Sequence, residues 1–101
     1  MVKHIVMWKL KDFAEGATRA ENARKLKSKL EELRGLIHEF KAAEVGINFD
    51  ASAAAYDVVL YSVFANKEAL WAYQKHPLHQ KLISDFLDKV RIDKKVVDYE
   101  V

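Results

Sequence analysis

Tyr56-Asp57-Val58-Val59-Leu60-Tyr61-Ser62-Val63-Phe64-Ala65 is the stretch around which the rest of this 101-residue chain arranges itself. In an extended chain Tyr56, Val58, Leu60, Ser62 and Phe64 share one side. Asp57, Val59, Tyr61, Val63 and Ala65 share the other. Valine, tyrosine and phenylalanine suit a pleated surface, so the segment reads as a strand. Both sides are apolar, and a strand of that kind needs cover on both.

Moving toward the N-terminus, Asp50 to Ala55 is a run of small residues that reads as a hairpin turn. Residues 36 to 49 before it form an extended stretch with Ile37, Val45, Ile47 and Phe49 apolar. Gly46 within it predicts a bulge or the close approach of another backbone. Upstream again, Thr18 and Glu21 spell a capping box, and Ala23, Leu26, Leu30 and Leu33 follow at helical spacing up to Gly35, read as the stop. Glu21 with Lys25 and Lys27 with Glu31 are i,i+4 pairs on its outer face. A loop from Lys11 to Ala17 separates this helix from a first strand, Val2 to Leu10. That strand places Val2, His4, Val6, Trp8 and Leu10 on one face and Lys3, Ile5, Met7 and Lys9 on the other.

Toward the C-terminus, Asn66 caps a helix that carries Leu70, Trp71 and Tyr73 and ends at His76. Pro77 opens a further helical segment with Leu78, Leu82, Ile83, Phe86, Leu87 and Val90 on its inner face. Lys95 to Val101 alternates Val97, Tyr99 and Val101 with polar residues and closes the chain as a strand. The order is strand, helix, strand, strand, helix, strand. This is the split βαβ, ferredoxin-like α+β arrangement: one domain over residues 1–101, with a four-stranded antiparallel sheet and both helical units on one face. One chain then covers one face only. The other side of the central strand calls for a second copy, giving a sheet-to-sheet homodimer that closes an α+β barrel.

Composition narrows the chemistry. There is no cysteine, which removes disulfides, thiolate nucleophiles and cysteine-based zinc sites and fits a reducing cytoplasm. The net charge is only +2, with acids and bases interleaved, so no stripe follows a phosphate backbone and nucleic acid is not an expected partner. Arg24, Lys25, Lys27 and Lys29 read as a solvated helix face. The N-terminus enters a strand directly, and neither a signal peptide nor a membrane span is expected.

The titratable groups gather in Trp71-Ala-Tyr-Gln-Lys-His-Pro-Leu-His-Gln80, which holds the only proline and two of the four histidines. Proline disfavours the helical region for the residue before it and suits the first turn of a new helix, so two helices meet at His76. An imidazole titrates near neutrality, so His79 can act as general acid or base. Tyr73 can donate to a substrate carbonyl and stabilise an enolate. A histidine bonded to backbone at such a corner explains His76 more simply, and for His79 both readings stay open. His4, Trp8, Trp71 and His76 are placed in the wall of a small-molecule pocket, His4 with the alternative of a satisfied core histidine. His38 carries no motif. Proline interrupts the H-x-x-H pair, and Glu68 and Asp85 do not complete a ligand spacing, so no metal and no cofactor are expected.

Val-Lys-His-Ile-Val at 2 to 6, His-Pro-Leu-His at 76 to 79 and the aromatic helix before it resemble the stress-responsive α/β-barrel (Dabb) family across the whole chain. The resemblance implies a dimeric α+β barrel and, for most members, no assigned activity. One member, a plant olivetolic acid cyclase, closes a linear tetraketide thioester by an aldol reaction without a cofactor. The positions here that match its catalytic tyrosine and histidine are Tyr73 and His79, and its pocket histidine matches His4. The first helix here carries Ala23, Arg24 and Leu26 where that enzyme places aromatic residues, a departure that bears on its substrate and not on related proton chemistry. Three functions follow as expectations. The first is a dimer that binds a small, largely apolar ligand. A cofactor-free enzyme of the polyketide-cyclase kind is the second, and a structural dimer without a ligand is the third.

Overall fold

The computed structural model describes all 101 residues. A strand β1 (Val2–Leu10) is followed by a two-residue hairpin pair, β2 (Phe13–Ala14) and β3 (Ala17–Thr18). Helix α1 (Arg19–Leu36) leads to β4 (Phe40–Ile47) and β5 (Val58–Phe64). Helices α2 (Lys67–Lys75) and α3 (Pro77–Leu82) continue into a wide π turn (Ile83–Leu87), a last short helix α4 (Asp88–Val90) and strand β6 (Arg91–Glu100). The four long strands form one antiparallel sheet in the order β4-β5-β1-β6. It is the ferredoxin-like α+β fold the sequence order implied.

Register explains the two faces. His4 lies opposite Ser62 on β5 and Asp98 on β6, and Val6 lies between Leu60 and Val96. This even face of β1 meets the helices, and Val2, His4, Val6, Trp8 and Leu10 are all buried. Val58, Leu60, Ser62 and Phe64 of β5 continue the same buried surface. The opposite face brings Ile5 beside Tyr61 and Val97, with Val59, Val63 and Met7 around them. No element of the chain covers that face, and Met7, Val97 and Tyr99 are exposed on it.

The helix signals act as the sequence implied, with one exception. The Thr18 side chain accepts from Glu21 N–H and Glu21 reaches back to Thr18, completing the capping box. Those bonds hold the Glu21 carboxyl below its ordinary range, and the charges of Lys25 and Arg24 act in the same direction. Thr18→Ala is therefore expected to cost about 1 kcal/mol. In a domain of this size that lowers the thermal midpoint by about 4–8 °C, which scanning calorimetry would register. Gly35 does not stop α1. It lies within the last turn, which runs on to Leu36 and ends where Ile37 turns into the core.

Three further departures have local causes. Residues 11 to 18 are not plain loop: Glu15 (φ 52°) and Gly16 (φ 72°) form a tight turn with both residues left-handed, the twist a two-residue hairpin needs. Asn22 is fully buried beneath it and donates to the Ala14 carbonyl at 2.9 Å. The bulge in β4 falls between Phe40 and Ala42, not at Gly46. Gly46 instead marks a close approach, since a Cβ there would lie 3.2 Å from Val59 Cγ1. Finally, β6 starts at Arg91, four residues before the alternation becomes legible, because it is an edge strand with few covered positions. Lys94, Val96 and Asp98 point to the helix side of the sheet yet stay exposed.

Candidate active site

The helix-facing side of β1, β5 and β6 and the α2–α3 corner enclose a cavity of about 100 Å³. His4, Val6, Trp8, Leu60, Tyr73, Gln74, His79, Ile83, Leu87, Arg91, Lys94 and Val96 line it. Of its lining residues, Lys94 and Val96 on the edge strand β6 are the exposed ones. Ile83 and Leu87, the first and last residues of the π turn, both face it. Turns of this kind occur often at functional sites.

Tyr73 is the hub. It is only 1% exposed, and its ring packs against Phe40 (centroids 4.7 Å apart), Phe64 (5.3 Å) and His79 (4.4 Å). Burial pushes its phenol well above the usual range, so the hydroxyl keeps its proton at any physiological pH. No hydrogen bond within the chain uses that hydroxyl, and Asn22 Oδ1 is the one fully enclosed side-chain atom without a partner. The Tyr73 hydroxyl therefore has access to the cavity it lines.

His79 Nδ1 lies 3.0 Å from the Gln74 carbonyl oxygen. A carbonyl only accepts, so the proton of the neutral ring sits on Nδ1 and Nε2 carries the lone pair. Burial is the main cause that lowers the His79 pKa, and the positive charge of Lys94 and the neighbouring histidines add to it. The ring is neutral at neutral pH, with the Nε2 lone pair free to accept a proton. Titration of its Cε1 proton by NMR is expected to give a midpoint below the ordinary value of 6.5. Protonation then costs more in the folded chain than in the unfolded one. Stability should be indifferent to this group above pH 6.5 and fall as pH drops from there through the folded midpoint.

His4, only 5% exposed, stands between the rings of Phe64 and Tyr73. Its Nδ1 donates to the Asp98 carboxylate across the β1–β6 pair. That contact sets the tautomer and leaves Nε2 as the free nitrogen. Two oriented imidazoles and one phenol thus border the same small space. Trp8 forms part of its wall.

The other two residues singled out in the sequence stand elsewhere. His76 caps α3: its Nδ1 accepts from Leu78 N–H at 3.1 Å, and it does not line the cavity. Trp71 is half exposed and shares a separate surface hollow with Val2, Leu70 and Tyr99 at the end of the sheet. Leu78 is likewise exposed and not on the inner face. Gln74, Arg91, Lys94 and Asp98 were not singled out. Gln74 had a signal, since it lies one residue beyond Tyr73, but the β6 residues reach the site only through a strand pairing nearly ninety residues long in the chain. No group of three His, Cys, Asp or Glu side chains is arranged to hold a metal ion, and no helix is long and apolar enough to cross a membrane.

Known structures of this fold agree with the architecture. A dimeric ferredoxin-like protein of unknown function from Bacteroides fragilis is 29% identical, with a TM-score of 0.81 over 99% of this chain and 95% of its own. The Arabidopsis thaliana protein At3g17210 is 27% identical, with a TM-score of 0.80 over 100% and 95%. A hydroxynitrile lyase from Passiflora edulis, at 15% identity, shares the fold with a TM-score of 0.79 over 99% and 92%. No curated protein sequence matches the chain. The stress responsive A/B barrel domain family matches residues 2–101, and the chain belongs to that family.

Proposed function

We propose that this protein is a homodimer, sheet against sheet, in which each protomer binds a small carbonyl compound between its sheet and helices and moves a proton on it without a cofactor. His79 is the acid/base and Tyr73 the hydrogen-bond donor. The observation that carries this reading is the pairing of an unpartnered, fully protonated Tyr73 hydroxyl with a neutral His79 on one cavity. The uncovered apolar sheet face and the dimeric Bacteroides fragilis relative support the assembly. The Passiflora edulis lyase shows that proteins of this fold can be catalysts.

In this reading His79 Nε2 takes a proton from the carbon beside the carbonyl. The C–H electron pair becomes an enolate, whose oxygen accepts from the Tyr73 hydroxyl. The enolate carbon then attacks a second carbonyl carbon, whose C=O π pair moves onto its oxygen, and that alkoxide takes the proton back from His79. Charge and protons balance, and one carbon–carbon bond forms. The apolar walls of Val6, Trp8, Leu60 and Leu87 favour a largely apolar chain. Turnover of a linear β-polyketo thioester by wild type, His79→Ala and Tyr73→Phe tests it. Loss in both variants with the dimer retained is expected, and equal turnover in all three overturns it.

A dimer without a ligand is a second reading, and one observation favours it. A cavity of about 100 Å³ is small beside the usual ligand pocket of about 300–1,000 Å³. It is, however, close in size to voids that hold a benzene-sized molecule.

A further inference from the structure

The cavity is electrostatically one-sided. Its twelve lining residues include Arg91 and Lys94 and no carboxylate. The Asp98 carboxylate is turned away onto His4 Nδ1, on the side remote from the free His4 nitrogen. Arg91 is partly committed, with Nε and Nη2 at 3.4 Å and 3.3 Å from Asp88 Oδ1. Lys94 takes part in none of the chain's ion pairs. It stands on the helix side of β6 beside Trp8, an exposed residue on the rim of the cavity. Lys95 and Asp93, its sequence neighbours, pair with each other on the opposite face. An exposed lysine with no ion-pair partner, on the rim of a cavity lined by no carboxylate, is free to pair with a group that the ligand brings. It suits a ligand that ends in an anion.

We infer that the ligand is a small carbonyl compound with an anionic oxyacid group, which Lys94, assisted by the free side of Arg91, holds at the cavity mouth while the carbonyl end enters between His79 and Tyr73. The inference rests on the proposed reading of the same cavity and adds the class of its substrate. A cation near the mouth also attracts the anion from solution and fixes which end enters first. The cavity volume admits only a few heavy atoms, so the charged group and the reacting carbonyl lie a short chain apart.

Two probes of nearly equal shape separate the possibilities: acetoacetate and its uncharged methyl ester. Binding is read by ligand-observed NMR at low and high salt, and proton abstraction by deuterium uptake at the carbon between the two carbonyls in D₂O. Wild type is expected to bind acetoacetate at least tenfold more tightly than methyl acetoacetate at low salt. Lys94→Met should abolish that preference, and Lys94→Arg should keep it. His79→Ala should keep the preference but stop deuterium uptake, which makes failure of the chemistry distinct from failure of anion recognition. Equal binding of the two probes by wild type, or binding of neither, overturns the inference. So does a Lys94→Met protein that slows uptake equally in both probes, because Lys94 then serves the enolate and not a substrate anion.

Discussion

His79→Ala is expected to lower turnover of a β-polyketo thioester by about 10²–10⁴-fold, the usual worth of a positioned acid/base. The dimer should survive. The substitution removes the Nδ1–H bond to the Gln74 carbonyl, a net loss of about 0.5–1.5 kcal/mol. Gln80 Nε2 still donates to that same carbonyl at 2.6 Å, so the α2–α3 corner keeps one tie. The thermal midpoint should therefore fall by about 2–12 °C, with the protein still folded. Tyr73→Phe provides the cleaner contrast. It keeps the ring against Phe40 and Phe64, removes a hydroxyl with no partner in the chain, and should leave the midpoint unchanged. Turnover should still drop by about 10²–10³-fold, as on loss of one donor to a developing oxyanion. Steady-state kinetics and scanning fluorimetry on the same preparations separate these effects. If His79→Ala unfolds the protein while Tyr73→Phe retains full turnover, the corner is structural and the catalytic reading fails.

Ile5→Asp is expected to convert the dimer to a monomer. Ile5 lies at the middle of the uncovered sheet face, beside Tyr61 on one neighbour and Val97 on the other. A two-fold interface repeats every change, so a single substitution places two carboxylates within one apolar contact. Each unpaired buried charge costs roughly 3–5 kcal/mol, which is enough to abolish association at micromolar concentration. The helix side of the sheet is untouched, so His4, Tyr73 and His79 should keep their arrangement. Sedimentation equilibrium reads the mass directly. A wild-type monomer, or an Ile5→Asp dimer, would show that the second copy does not sit on this face.

How much of this was legible follows from the range of the interactions involved. Val58 to Phe64 and Val2 to Leu10 declare themselves as strands because each face is a local, two-residue alternation. Thr18 with Glu21, Asn66 and Pro77 are equally local signals, and all three open helices where the residues imply. The Glu15–Gly16 turn was hidden because glutamate is an unusual occupant of a left-handed position, and only the pairing of Phe13 with Thr18 reveals it. Gly35 misled because a glycine ends a helix only when it leaves the helical region, and here the buried Ile37 sets the end.

The site divides in the same way. Tyr73 and His79 come from one turn-and-corner segment whose spacing can be read, and the structure brings them together with His4 and Trp8 around one cavity. Trp71 shares their segment but points the other way, since a helix rotates about 100° per residue and Tyr73 takes the inward position. His76 has backbone to satisfy at the start of α3. Asp98, Arg91 and Lys94 were silent in sequence, because an edge strand with charged residues on both faces gives no sign of which ones look inward.

Deuterium uptake from D₂O into methyl acetoacetate, measured for wild type and His79→Ala at equal concentration, tests the proton-transfer role of the cavity without knowledge of the natural substrate. Uptake above the buffer rate that saturates with the ester, fades as pH falls through the depressed His79 midpoint and disappears in His79→Ala is the predicted result. Uptake at the same rate with both proteins would contradict it.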